Sequence, residues 1–317
     1  MALYLREADL QPLLSYADAI ELVEAAMISH ARGQASNRPR QRVRAGKTGL
    51  NVLLAANEAS GYLGFKVLAA GAGAARQLVW LYTADDGRLV ALLEANWLSL
   101  ARTSAASAVA THKLARQDAS VAAFIGAGRQ QGGQLPAVCL VRAFEDVRVF
   151  SPTGVSAEEL SKRAREQGLP ARVCKTAEEA ADGADVITVA THGDAIALEG
   201  RWLKPGAHVN AMGVNRGAQR EIDDDAVLRA EVVAVDEKEN ARLEAGDLLP
   251  AIAAGKLSWD RVHDLGAILA GLAPGRSSSG GITLFESQGI GLEDIAVASV
   301  AYDRAKAAGV GQELNIA

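Results

Sequence analysis

The residues with the clearest chemical potential lie in Val121-Ala-Ala-Phe-Ile-Gly-Ala-Gly-Arg-Gln130, an apolar strand-like run that bends at Gly126-Ala-Gly128 into a helix-compatible segment. Glycines at such a bend let the backbone turn tightly and approach a pyrophosphate, whose charge then sits at a helix N-terminus. Gly126 and Gly128 are therefore candidate diphosphate-loop residues, although Gln131 stands where a third glycine is usual. An acid about 20 residues further on normally bonds the ribose 2′-hydroxyl of NAD. Here the count reaches Phe150-Ser151-Pro152-Thr153, with no carboxylate. Ser151 and Thr153 can bond a 2′-phosphate, so the reading leans to NADP(H) over NAD(H). Arg148, Lys162 and Arg163 are candidate charge partners. An ordinary strand-to-loop capping pair is the alternative for the two hydroxyls.

A second set of polar residues lies in the N-terminal third. Lys66 ends the apolar run Tyr62-Leu-Gly-Phe65, and Arg102 lies among Leu98, Ala101, Ala105 and Ala106. A cation in such surroundings needs a partner, because burying it unpaired costs several kcal/mol. A substrate carboxylate would serve, the arginine binding as a bidentate fork. A structural ion pair would serve equally well. The five histidines show no metal-ligand spacing and the two cysteines form no ligand pair, so no metal site is expected. No Gly-x-Ser-x-Gly elbow is present, which argues against an acyl-transfer hydrolase.

These residues need a scaffold, and the pattern after about Ser120 supplies one. Short apolar runs at 121–125, 147–150, 171–174, 185–190, 208–212 and 232–235 alternate with helical stretches at 131–143, 156–167 and 177–181. Strands apolar on both faces and separated by helices imply a parallel sheet covered on both sides. The expected fold class is α/β, a Rossmann-type doubly wound sheet, with a mixed α+β domain before it. In that first domain 17–32 and 98–114 read as helices, and 50–55, 62–69 and 77–83 as strands. Asn37 to Arg42 reads as a basic, turn-rich connection. The helical tail 291–307 is expected to pack back on it, giving domains of 1–115 with 291–317 and of 116–290.

Composition narrows the class. The chain has 317 residues, 49% hydrophobic and 22% charged, with formal net charge −5. That length suits two domains, and that charge gives no reason to expect nucleic acid or an anionic membrane as partner. Arg6, Glu7 and Asp9 interrupt any secretory h-region, and no apolar run approaches the roughly 18 residues of a membrane span. Cys139 and Cys174 sit in apolar runs without a disulfide pattern. A cytoplasmic protein is expected.

Several segments in order resemble the ornithine cyclodeaminase/mu-crystallin family. They are Gly64-Phe-Lys66, Ala101-Arg-Thr103, Ile125-Gly-Ala-Gly-Arg-Gln130 and Trp202-Leu-Lys-Pro-Gly-Ala-His-Val-Asn-Ala-Met-Gly213. Arg220-Glu-Ile-Asp223, Glu244-Ala-Gly-Asp247, Gly275-Arg276 and Ile282-Thr-Leu-Phe-Glu-Ser287, running into Glu293-Asp294, complete the set. The resemblance implies a homodimeric oxidoreductase that acts on a small α-imino or α-amino acid with a nicotinamide cofactor. It implies that Arg42, Lys66 and Arg102 hold the substrate carboxylate, and that Gly126, Gly128, Arg129 and Gln130 form the diphosphate loop. It implies too that Thr191 and His192 border the nicotinamide ribose, and that Met212 also binds the cofactor. Cyclodeaminases of the family carry an aspartate where this chain has Asn215. An amide is neither a general base nor a counter-charge for an ammonium group. The expected activity is therefore reduction of a cyclic ketimine such as pyrroline-2-carboxylate or piperideine-2-carboxylate, with Asn215 orienting the substrate nitrogen. Ornithine cyclodeamination, an alanine dehydrogenase-like reaction and non-catalytic NADP binding are the alternatives.

Overall fold

The computed structural model describes residues 1–71 and 75–315. The chain divides into two units, Met1–Thr103 with Gly289–Ala317 and Ser104–Gln288. The last two residues of the expected first domain, 316 and 317, lie outside the described residues.

The first unit is built on a seven-stranded sheet. Its strands are β1 (Ala2–Leu5), β2 (Ala35–Ala45), β3 (Thr48–Asn57), β4 (Tyr62–Ala70), β5 (Arg76–Thr83), β6 (Leu89–Glu94) and the short C-terminal strand Gln312–Leu314. The order is C-terminal strand, β1, β6, β5, β4, β3, β2. Only β1 and β6 run parallel. Helix α1 (Tyr16–Ala31) and the C-terminal helix Gly291–Ala308 lie on this sheet. Asn37 to Arg42, expected as a connection, belongs to β2. Three arginines and a proline hid a strand that pairs with β3 along most of its length. Helix α2 (Asn96–Leu114) follows β6 and runs across the division between residues 103 and 104.

The second unit contains an eight-stranded sheet of β7 (Val121–Ile125), β8 (Asp146–Phe150), β9 (Ala171–Val173), β10 (Val186–Val189), β11 (His208–Ala211), β12 (Ala230–Val235), β13 (Val262–Asp264) and β14 (Ile282–Glu286). The order is β13-β12-β14-β11-β10-β7-β8-β9, and every pair is parallel. This is the doubly wound arrangement expected from the alternating runs, with β7 next to the reversal of strand order. Alternate side chains of the central strands feed two separate cores, Ile187 and Val189 one of them and Val147 and Val149 the other. Helix α3 (Arg129–Val141) follows β7, and α4 (Gly154–Glu166) follows β8. Among the described residues no helix is long and apolar enough to cross a membrane.

Candidate active site

In the first unit, β4 carries Lys66 inward. Gly64 and Lys66 are buried while Leu63 and Phe65 face the other side, as the two-residue period of a strand requires. Gly64 lies against β5, where any Cβ would collide with the Trp80 carbonyl oxygen. Ser99 and Arg102, three residues apart on α2, share a helix face. The third contribution is the first turn of the C-terminal helix, which presents Glu293 and Asp294, both fully buried.

These groups form one ion cluster. Lys66 Nζ donates to Asp294 Oδ1 at 2.8 Å and to Ser99 Oγ at 3.3 Å. Arg102 Nε donates to the same Asp294 oxygen at 3.0 Å, and its Nη1 to Glu293 Oε2 at 2.7 Å. Gly289 has φ +73°, and a Cβ there would strike the Arg102 guanidinium, so glycine is required on both counts. Arg40 Nη2 donates to the Gly289 carbonyl at 3.0 Å. Burial drives the Lys66 ammonium down to about 7, and the charges of Arg102 and Arg40 push the same way against the pull of Asp294. Of the two possibilities left by the sequence, the structure shows the ion pair: Lys66 and Arg102 converge on one carboxylate oxygen, that of Asp294.

Arg42 is not the arginine brought to this cluster. It is exposed toward the β2–β3 hairpin end, where its Nε donates to Asn51 Oδ1 at 3.1 Å. Arg40 is the arginine of β2 that lies beside the cluster. A bulge sets the pair Pro39 and Arg40 against Leu53, between the register positions Arg38↔Leu54 and Gln41↔Val52. Arg38, Arg40 and Arg42 share a period of two, so the sequence alone could not choose among them. Ser99 and Arg40 went unnoticed as site residues, and Glu293 and Asp294 entered only as a family segment.

The second unit holds the expected nucleotide loop. Gly126 has φ +99° and packs against the Ala190 carbonyl, where a side chain would clash. Its N–H donates to Phe150 O at 2.8 Å. Gly128 is the N-cap of α3, and a Cβ there would meet nothing, so the backbone at the helix start is open to a ligand. Gln131, in place of the third glycine, is buried and donates from Nε2 to Thr188 O at 2.9 Å. Arg129 and Gln130 open the helix beside this loop.

A cavity of about 290 Å³ adjoins it, lined by Ile125, Gly126, Phe150, Thr191, His192 and Trp202 among others. At the end of β8, Ser151, Thr153 and Ser156 make a hydroxyl cluster, with Thr153 Oγ1 to Ser156 Oγ at 2.6 Å, Ser156 to Ser151 at 3.2 Å and Ser151 to Thr153 at 3.3 Å. The cap position of α4 is Thr153, and Ser156 lies in its first turn. Met212 is buried past β11, its N–H bonded to Val189 O at 2.9 Å. His192 is exposed, with its carbonyl accepting from Gln219 Nε2 at 3.0 Å. Asn215 is exposed in the loop after β11. The loop, cavity and open helix start fit a dinucleotide. Among the described residues no three His, Cys, Asp or Glu side chains converge as a metal site.

Known proteins share this architecture. The family described as ornithine cyclodeaminase/mu-crystallin matches residues 3–309. The structure resembles that of Δ1-pyrroline-2-carboxylate reductase from Thermococcus litoralis in complex with NADH and L-proline, with TM-score 0.94, 31% identity and coverage of 98% of this chain and 100% of that one. Iminosuccinate reductase of Paracoccus denitrificans in complex with NAD+ gives TM-score 0.94 and 32% identity over 99% of both chains. An archaeal alanine dehydrogenase, a dimer with bound NAD, gives TM-score 0.93 and 29% identity, again over 99% of both. The chain belongs to the ornithine cyclodeaminase/mu-crystallin family.

Proposed function

We propose that the protein is an NAD(P)H-dependent ketimine reductase that converts a cyclic imino acid, such as pyrroline-2-carboxylate or piperideine-2-carboxylate, to the amino acid. The observation that carries this reading is the cluster in which Lys66 and Arg102 share Asp294 Oδ1 with Arg40 close by. Three cations brought together suit a carboxylate, and their buried surroundings strengthen the attraction. Arg102, Arg40 and Lys66 hold the substrate carboxylate, fixing the C=N carbon for attack. When bound, the reduced nicotinamide supplies the hydride. Holding the imino acid in one orientation contributes several kcal/mol to lowering the barrier. With its affinity drawn down to about 7, Lys66 can also give up a proton to the imine nitrogen near neutral pH. Asn215 orients that nitrogen, and Thr191, His192 and Met212 border the nicotinamide riboside.

The three solved relatives divide between imine reduction and alanine dehydrogenation, so the test is a substrate panel read at the reduced-nicotinamide absorbance. Oxidation of the cofactor with cyclic imino acids is expected, with negligible proline and ammonia from ornithine. Rapid proline formation from ornithine without added reductant would refute the assignment, and turnover with only alanine or pyruvate plus ammonia would replace it. All three solved relatives hold NADH, NAD+ or NAD, yet the three hydroxyls at the end of β8 are joined by no carboxylate at 151–155. NADPH is therefore expected to bind more tightly than NADH by a modest margin. Tighter NADH binding in calorimetry would overturn that preference.

The working unit is proposed to be a homodimer. The face of the first sheet opposite α1 and the C-terminal helix presents Leu54, Leu63, Phe65, Trp80 and Tyr82, with Phe65 and Trp80 stacked at 5.9 Å between centroids. Leu54 and Leu63 are 41% and 36% exposed, unusual for neighbouring leucines on one sheet face. A second copy of this chain is the proposed cover, as the archaeal alanine dehydrogenase is a dimer. Light scattering should give twice the chain mass, and Leu54→Glu should shift it toward the monomer. A monomeric unmodified protein would exclude this.

A further inference from the structure

We propose that Glu221 is a positioning residue for the nicotinamide half of the cofactor: its carboxylate ties the backbone beyond β10 to the backbone beyond β11 and fixes the surface between them. The inference rests on the nucleotide site proposed above for the second unit. The Thr191 N–H and hydroxyl both donate to Glu221 Oε2, at 2.9 and 3.0 Å, and the Gly213 N–H donates to Oε1 at 2.7 Å. Thr191 lies two residues past β10 and Gly213 two past β11, strands paired in register from Val186↔His208 to Val189↔Ala211. One side chain therefore joins two neighbouring strand ends at the edge where doubly wound sheets bind ligands. Any Cβ on Gly213 would collide with both the Glu221 carboxylate and the Thr191 backbone, so the three groups are packed with no slack. Thr191 also lines the cavity beside the nucleotide loop.

The tie is itself held in place. The N–H groups of Glu221 and Ile222 donate to Asp247 Oδ1 at 2.8 and 3.0 Å, and the Asp247 N–H reaches Glu286 Oε1 at 3.4 Å at the end of β14. Glu221, Asp247 and Glu286 are fully buried. Burial and the charge of Asp247 push the Glu221 carboxyl up to about 8, against the three donors that favour its ionised form. Burying an acid there is costly for stability alone, and a well-packed apolar side chain would often serve the fold better. What an apolar side chain cannot do is accept from both strand ends at once.

The test compares ligands that do and do not contain the nicotinamide riboside. Glu221→Gln keeps the shape and one acceptor but turns an amide N–H toward the remaining backbone donor. It should weaken the reduced cofactor about tenfold, read by nicotinamide fluorescence, while ADP affinity stays within about twofold. Thr191→Val, which removes one of the three donors and leaves Glu221 untouched, should shift the same ratio in the same direction by less, and it decides the matter if Glu221→Gln does not fold. Equal weakening of ADP and reduced cofactor in the folded variants, or no weakening of either, would overturn the positioning role. Failure of ADP to displace reduced cofactor from the unmodified protein would instead refute the nucleotide site, and the role of Glu221 with it.

Discussion

Arg102→Ala should abolish measurable imine reduction while leaving nucleotide affinity close to that of the unmodified protein. The guanidinium is 5% exposed and is held by Glu293 Oε2 and Asp294 Oδ1, so its direction is fixed before any substrate arrives. Losing a pre-oriented, charge-assisted contact to the substrate carboxylate should cost about 2–4 kcal/mol in kcat/KM, roughly 30- to 900-fold. The substitution also takes a buried cation away from Glu293 and Asp294, and breaking a buried pair commonly costs about 3–5 kcal/mol of stability. Arg102→Lys separates the two effects, since it keeps the charge and loses the fork. Lysine should restore much of the thermal midpoint and little of the activity. A folded Arg102→Ala protein with near-normal efficiency would place the carboxylate clamp elsewhere.

How far the sequence announces this arrangement depends on the kind of signal. The second unit was legible because its strands are continuous apolar runs between helices and because Gly126 and Gly128 mark one bend. Even β11, which carries His208 and Asn210, reads as a buried strand: the polar groups satisfy one another, His208 Nε2 lying 3.0 Å from Asn210 Oδ1. The strand β2 was not legible, since its burial pattern is mostly polar and its place comes from pairing with β3. The choice of Arg40 over Arg42 was hidden for a related reason, because a bulge changes side-chain phase without altering composition. The ion cluster was half legible. Two cations in apolar segments demanded partners, but Glu293 and Asp294 lie more than 190 residues away in sequence, and only the packing of the C-terminal helix brings them in. Glu221 entered only within the family segment Arg220-Glu-Ile-Asp223, as its partners, Thr191 and Gly213, lie 30 and 8 positions earlier.

Asp294 is the group on which the electrostatics of the cluster turn, and Asp294→Asn should show it in the pH profile. One of its oxygens accepts from both Lys66 and Arg102, and its charge opposes the effects that draw the Lys66 ammonium down to about 7. Asparagine preserves the volume and one acceptor but removes the charge. The sign follows directly: lysine carries its proton below its pKa, and taking away a supporting negative charge lowers that pKa further. If protonated Lys66 holds the substrate or supplies the imine proton, the alkaline decline of kcat/KM must then begin at lower pH. At pH 7 to 8 the efficiency should drop on the order of 10–100-fold, the scale of a lost hydrogen bond to a charged group, with partial recovery toward acid. Glu293→Gln is the control, because Glu293 bonds Arg102 and has no bond to Lys66 among those described. It should lower kcat/KM while leaving the position of the alkaline limb in place. A limb that stays put in Asp294→Asn, or moves equally in both variants, would show that Lys66 titration does not govern the reaction.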